Sequence, residues 1–143
     1  MNKLMILALA TLAALPLTTT NAQSEKAQTH RVVFEVTMEG SEQWTAVLNN
    51  VENLKKSLGD KTEIEVVAHS KGLGLLVAKD NSFVERMKKI SETGVVFAAC
   101  ENTMKKKNVT KDQLVPFATT TDSGVAEVVR KEEAGWSYIK SGI

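Results

Sequence analysis

The stretch Val95-Val96-Phe97-Ala98-Ala99-Cys100-Glu101-Asn102-Thr103-Met104-Lys105-Lys106-Lys107-Asn108 changes character at one residue. Val95 to Cys100 is apolar without alternation, the pattern of a central strand covered on both faces. Glu101 to Lys107 is predicted as a short helix with Asn108 as its cap. Cys100, the only cysteine in the chain, stands at the junction. It is either a reagent or a small apolar side chain that contains sulfur.

Working outward, the same alternation of strand and helix continues in both directions. Arg31 to Met38 and Thr62 to His69 read as strands. Ser41 to Leu58 reads as a helix, because Trp44, Val47, Val51, Leu54 and Leu58 recur every three or four residues, and Gly59 stops it. Ser70 to Ala78, with Gly72 and Gly74, is expected as a loop with a short helical turn. A helix from Ser82 to about Thr93 is predicted to open on a capping box of Ser82 and Glu85 and to stop at Gly94. Thr110 and Gln113 form a second candidate box. A fourth strand is expected at Val115 to Thr120, a last helix from Ser123 to about Ala134, and a fifth strand at Trp136 to Lys140. Strands separated by single helices imply right-handed crossovers and a mainly parallel sheet with helices on both faces. The fold class is therefore α/β, a three-layer α/β/α sandwich of about five strands.

The start of the chain reads differently. Lys3, the apolar run Leu4 to Leu17 and the small-residue site Thr20-Asn21-Ala22 have the layout of a secretory signal peptide. The run is shorter than the roughly 20 residues that span a bilayer. The domain expectation is thus a signal peptide at 1–22, a polar lead-in from Gln23, and one domain over 23–143. The protein is therefore expected to be exported and periplasmic, with no membrane association after cleavage. Its 18 basic and 17 acidic residues nearly cancel, which gives no electrostatic case for nucleic acid. Lys55-Lys56, Lys88-Lys89 and Lys105 to Lys107 read as solvated helix faces. A lone cysteine in an oxidising compartment has no internal disulfide partner. It is expected to be buried, paired with another chain, or kept for its reactivity.

Ligands of an open parallel sheet bind beyond the carboxyl ends of its strands. That edge gathers Thr37 to Gly40, His69 to Lys71, Cys100 to Thr103 and Thr120 to Ser123. Unpaired amides at a helix start stabilise an anion and lower a thiol pKa from about 8.5. Lys105 would assist and Glu101 would oppose. Yet Val96, Ala98 and Cys100 share one strand face, so the sulfur equally suits a packing role. His69 can orient or deprotonate a partner, or be held by a backbone hydrogen bond. Asn49, Asn50 and Asn53 form a stripe beside the apolar face of the first helix, suited to packing support or to binding a loop or a neighbouring subunit.

Other chemistries lack their residues. Gly72-Leu73-Gly74 has Val77 where a dinucleotide loop needs its third glycine. There is no Walker sequence, nucleophile elbow or HExxH motif. One cysteine and two histidines do not suit a dedicated zinc site, so neither a metal nor a cofactor is expected. Asn108-Val109-Thr110 fits a glycosylation sequon.

The chain resembles the DsrE/DsrF-like family, specifically its small exported branch. The residues that carry the resemblance are Leu48-Asn49-Asn50-Val51-Glu52-Asn53-Leu54, Val66-Val67-Ala68-His69 and Phe97-Ala98-Ala99-Cys100-Glu101-Asn102-Thr103-Met104. Ser123-Gly124-Val125-Ala126-Glu127-Val128-Val129-Arg130 and Gly135-Trp136-Ser137-Tyr138-Ile139 are similar too. The resemblance implies a parallel α/β/α sheet and homo-oligomers, commonly trimers or hexamers. It implies that Cys100 carries sulfane sulfur as a persulfide, exchanged with a donor or acceptor protein. In the leading reading His69, Asn102 and Thr103 shape the pocket, with Asn49, Asn50 and Asn53 as supporting residues. The sequence therefore supports an exported handler of reactive sulfur. The alternative is a non-catalytic oligomeric ligand-binding or assembly module in which Cys100 is structural. A dimer disulfide-linked through Cys100 is a third reading.

Overall fold

The computed structural model describes residues 29–141. The leader expected at 1–22 and most of the polar lead-in lie outside the described residues. The elements in order are β1 (Arg31–Val36), α1 (Ser41–Leu58), β2 (Glu63–Ala68), a 3-10 segment (Ser70–Leu76) and α2 (Val84–Ser91). They continue with β3 (Val96–Cys100), α3 (Glu101–Lys107), a 3-10 turn (Lys111–Gln113), β4 (Thr119–Thr121), α4 (Gly124–Glu133) and β5 (Ser137–Ser141). The strands form one sheet in the order β4-β3-β2-β1-β5, and every pairing is parallel.

The strand order decides where the helices go. From β1 to β4 each strand joins the outer side of its predecessor, and the chain then crosses the whole sheet to place β5 beside β1. Right-handed crossovers put helices made while moving one way on one face and the returning helix on the other. The apolar clusters follow this division. Phe34, Val66 and Phe97 point towards α1, α2 and α3, meeting Val47, Leu48, Val51, Met87 and Met104 in the larger cluster. Val33, Val67 and Ala98, one residue out of phase, meet Val128 of α4 and the flanking Trp136 in a smaller cluster among the described residues. The unbroken apolar run of β3 thus has its cause in two covered faces.

The 3-10 segment comes very close to the end of β1. A Cβ on Gly72 would lie 2.1 Å from the Val36 carbonyl oxygen, so the Gly-Leu-Gly stretch serves backbone packing. Two local expectations are corrected. The fourth strand is confined to Thr119–Thr121, because Pro116 has no N–H to give and Val115 donates instead to Leu76 O at 2.9 Å. Ser82 and Glu85 make no capping box. Asn81 accepts from Phe83 N at 2.9 Å and donates to Leu75 O and Val77 O, and α2 begins at Val84 without a side-chain cap. The box of Thr110 and Gln113 has both of its hydrogen bonds.

Candidate functional site

Cys100 is the last residue of β3. Ala68 of β2 pairs with Ala99 of β3, so the residues after that pair, His69 and Cys100, leave neighbouring strands side by side. Alternation points both towards the α4 face with Val67 and Ala98. Glu35 shares a face with Val33 on β1, and Tyr138 is paired with Val33 from β5. A row of cysteine, histidine, carboxylate and phenol therefore crosses four adjacent strands at the carboxyl edge.

The sulfur is enclosed by donors. Thr103 N donates to Cys100 Sγ at 3.4 Å. The amide of Gly124, the first residue of α4, faces the same atom, as do the Thr103 hydroxyl and the Asn102 amide. Asn102 N also donates to Asp122 O at 3.3 Å, which ties the start of α3 to the turn before α4. Thr103 Oγ1 accepts from Ser70 N at 3.1 Å, leaving the hydroxyl hydrogen for the sulfur. Burial pushes the thiol up, but the Thr103 side chain and the amides of Gly124, Thr103 and Asn102 outweigh it and hold Cys100 below the ordinary thiol value. The residue is only 4 % exposed. It is counted among the buried core side chains yet belongs to neither continuous apolar cluster. The neighbouring Glu101 carboxylate is occupied by Thr120 Oγ1 at 2.8 Å and Lys111 Nζ at 3.0 Å.

His69 has no free nitrogen for Cys100. Nε2 meets Glu35 Oε1 at 2.8 Å, and Nδ1 meets Ser70 Oγ at 3.0 Å. A carboxylate only accepts, so Nε2 carries the hydrogen; in the neutral ring Nδ1 then accepts from the Ser70 hydroxyl. The imidazole orients its neighbours and is not the base for the thiol. Glu35 also accepts a short bond from Tyr138 Oη. Burial raises the Glu35 carboxyl, and the Tyr138 and His69 hydrogen bonds with the charges of His69 and Lys140 bring it below its usual value. Burial and the bonded Glu35 carboxylate, with Glu132 adding charge, push Tyr138 up to about 12.

The remaining sequence candidates separate into two groups. Asn102 and Thr103 do lie at Cys100, and their side chains line an open cleft of about 550 Å³ with Ser70, Lys71, Lys106 and Lys107. The asparagine stripe of α1 lies on the other side of the sheet. Asn49 accepts from Arg86 at 2.6 Å, while Asn50 and Asn53 border an apolar groove with Phe34, Leu54, Leu58 and Ile139. Glu35, Gly124 and Tyr138 are the site residues that sequence reading missed. A carboxylate set between Phe34 and Val36 inside an apolar strand was the available signal for Glu35. Among the described residues no helix is long and apolar enough to cross a membrane.

Three solved structures share this architecture. A protein of unknown function from Methanobacterium thermoautotrophicum is 32% identical, with a TM-score of 0.74, over 78% of this chain and 98% of that one. The ychN protein from E. coli is 11% identical, with a TM-score of 0.64, over 79% of this chain and 99% of the other. A conserved protein of unknown function from Bacteroides thetaiotaomicron is 12% identical, with a TM-score of 0.59, over 77% and 93%. At those two identities the likeness is one of fold. No curated protein matches the chain. The DsrE/DsrF-like family model matches residues 13–140, and with the parallel five-stranded sheet that its relatives share, this chain belongs to the DsrE/DsrF-like family.

Proposed function

We propose that the protein carries sulfane sulfur on Cys100. The observation that carries this reading is the convergence of backbone amides from the starts of α3 and α4, with the Thr103 hydroxyl, on one sulfur atom. As the N-cap of α3 a structural cysteine already satisfies the Thr103 amide, but the further donors from Gly124, Asn102 and the Thr103 hydroxyl suit a thiolate or a persulfide anion, which each of them stabilises. In the loading step the Cys100 thiolate attacks the terminal sulfur of a persulfide or polysulfide donor, R–S–S⁻. A Cys100 S–S bond forms, the donor S–S bond breaks, and its electron pair leaves with R–S⁻. In unloading, an acceptor thiolate attacks the outer sulfur and Cys100 thiolate departs. Both are thiol–disulfide exchanges that need no outside oxidant.

With Cys100 4 % exposed, donor and acceptor reach it when the junction of α3 with the turn before α4 opens. That junction includes the long Asn102 N to Asp122 O bond of 3.3 Å. With the leader expected at 1–22, the proposed place of this activity is outside the cytoplasm. The protein acts as a homo-oligomer, a reading supported by the exposed Val125 and Val129 one turn apart on α4. The burial of the thiol favours a second reading, a non-catalytic assembly module with Cys100 structural.

One experiment separates the two. Native protein is treated with inorganic polysulfide and weighed by mass spectrometry. Sulfur added reversibly with dithiothreitol, and not added to Cys100→Ser, is the result expected of a carrier. A thiol that takes up no sulfur and resists alkylation until the protein unfolds would leave only the assembly module.

A further inference from the structure

The donors facing Cys100 come from two separate loops, and one imidazole touches the supports of both. A Cβ placed on Gly124 would lie 2.9 Å from His69 Cβ and Cδ2 and 3.0 Å from Cγ. The ring is therefore the surface against which the first turn of α4 rests, and the absence of a side chain at 124 sets how near its amide comes. On the other side, Ser70 bonds the His69 ring through its hydroxyl at 3.0 Å and donates its backbone N–H to Thr103 Oγ1 at 3.1 Å. Ser70 holds this double contact in a left-handed conformation, φ 54°, which a non-glycine residue adopts at a cost. The ring itself is 8 % exposed and its other nitrogen is held by Glu35, whose second oxygen takes the Tyr138 hydroxyl.

We infer that Glu35 is a positioning residue for the sulfur site: by locking the His69 ring it sets the seats of Gly124 and Thr103, and so the donors that surround Cys100. Tyr138 extends the device by fixing the carboxylate from β5. The inference concerns the same site as the carrier reading and takes its functional meaning from it, but the geometry stands on its own.

The sign of one measurement decides the matter. A carboxylate near a thiolate repels it, so removing Glu35 by charge alone would make the thiol more acidic. Removing a positioning group lets the donors retreat and makes the thiol less acidic. The chain has one cysteine and one tyrosine, and Tyr138 ionises only near 12, so thiolate ultraviolet absorbance against pH reports Cys100 alone. In the full-length protein, Glu35→Ala is expected to raise the thiol midpoint by roughly one unit. Glu35→Gln, which keeps an oxygen to accept from His69, is expected to restore most of that shift. Tyr138→Phe, at an exposed position, is expected to give a smaller rise. An unchanged or lowered midpoint in Glu35→Ala, or Glu35→Gln moving as far as the alanine variant, would overturn the inference. Should Glu35→Ala not fold, an unchanged midpoint in Tyr138→Phe has the same force. Sulfur uptake by wild-type protein is read separately by mass, so loss of the carrier reading and loss of the positioning role give different results.

Discussion

The two faces of the sheet are built on different physics. The face under α1, α2 and α3 is dry: Phe34, Leu48, Leu73, Leu75, Leu76, Met87 and Phe97 are fully buried in one continuous cluster. Among the described residues the cluster under α4 has four buried apolar residues, and an ion pair from Lys131 to the buried Glu65 ties the helix to the sheet. Lys131 also lies 4.2 Å over the Trp136 ring, while Arg130 bonds Asp122 and Glu127. An apolar face gains stability in proportion to area and asks little of direction. A polar face asks that every buried group find a partner, and that requirement aligns the row of Cys100, His69, Glu35 and Tyr138. The candidate chemistry sits on the face with the smaller apolar cluster, and the larger cluster lies across the sheet from it.

The largest expected effect lies on the dry face. Phe97→Ala, at a fully buried position, should lower unfolding free energy by about 3–5 kcal/mol in urea titrations and move the Cys100 thiol midpoint little. A large midpoint shift would show that the faces are not independent. Gly124→Ala should cost about 1–3 kcal/mol, because its methyl group overlaps the His69 ring and α4 must shift. It should also raise the thiol midpoint, and a variant with wild-type titration would remove Gly124 from the site.

A smaller effect follows from linkage. The folded Cys100 thiol lies below its ordinary value, so its ionisation favours the folded state. That contribution is present above roughly pH 8.5, the unfolded thiol value, and is lost as pH falls through the folded midpoint. Cys100→Ala should therefore lose stability relative to wild type mainly on the alkaline side, as read from denaturation at several pH values. A difference independent of pH would mean that the substitution removes packing alone. The smallest effect is expected for Arg86→Ala. This residue joins Glu52 and Asn49 on the surface of α1, where solvent screening limits the loss to below about 1 kcal/mol.

Much of this was legible in one dimension because short-range rules acted without competition. The span of α1 follows from apolar spacing and from Gly59, which takes φ +89° at the end of the helix. The unbroken run of β3 announced a strand covered twice. The box at Thr110 and Gln113 lies within three residues and closed as its spacing implied. Ser82 and Glu85 had the same spacing and failed, because Asn81 made stronger contacts with a segment up to six residues away. Val115 to Thr120 was misjudged for the same reason: its first residue found a carbonyl in the 3-10 segment rather than in β3.

Periodicity and punctuation in the sequence alone determined the parallel α/β class, the order of the elements and the placement of Cys100 where a strand gives way to a helix. These properties depend on neighbours within a few turns of chain. Only the tertiary structure decided that Thr103 and Gly124 meet at one sulfur and that the chain Glu35, His69 and Ser70 backs them, since β1, β2, β3 and α4 are brought together by pairing register and by the return crossover to β5. It also decided that the asparagine stripe lies across the sheet from that sulfur. Which face a residue joins depends on the direction in which the chain adds its strands, and that direction is set by the packing of the whole sheet.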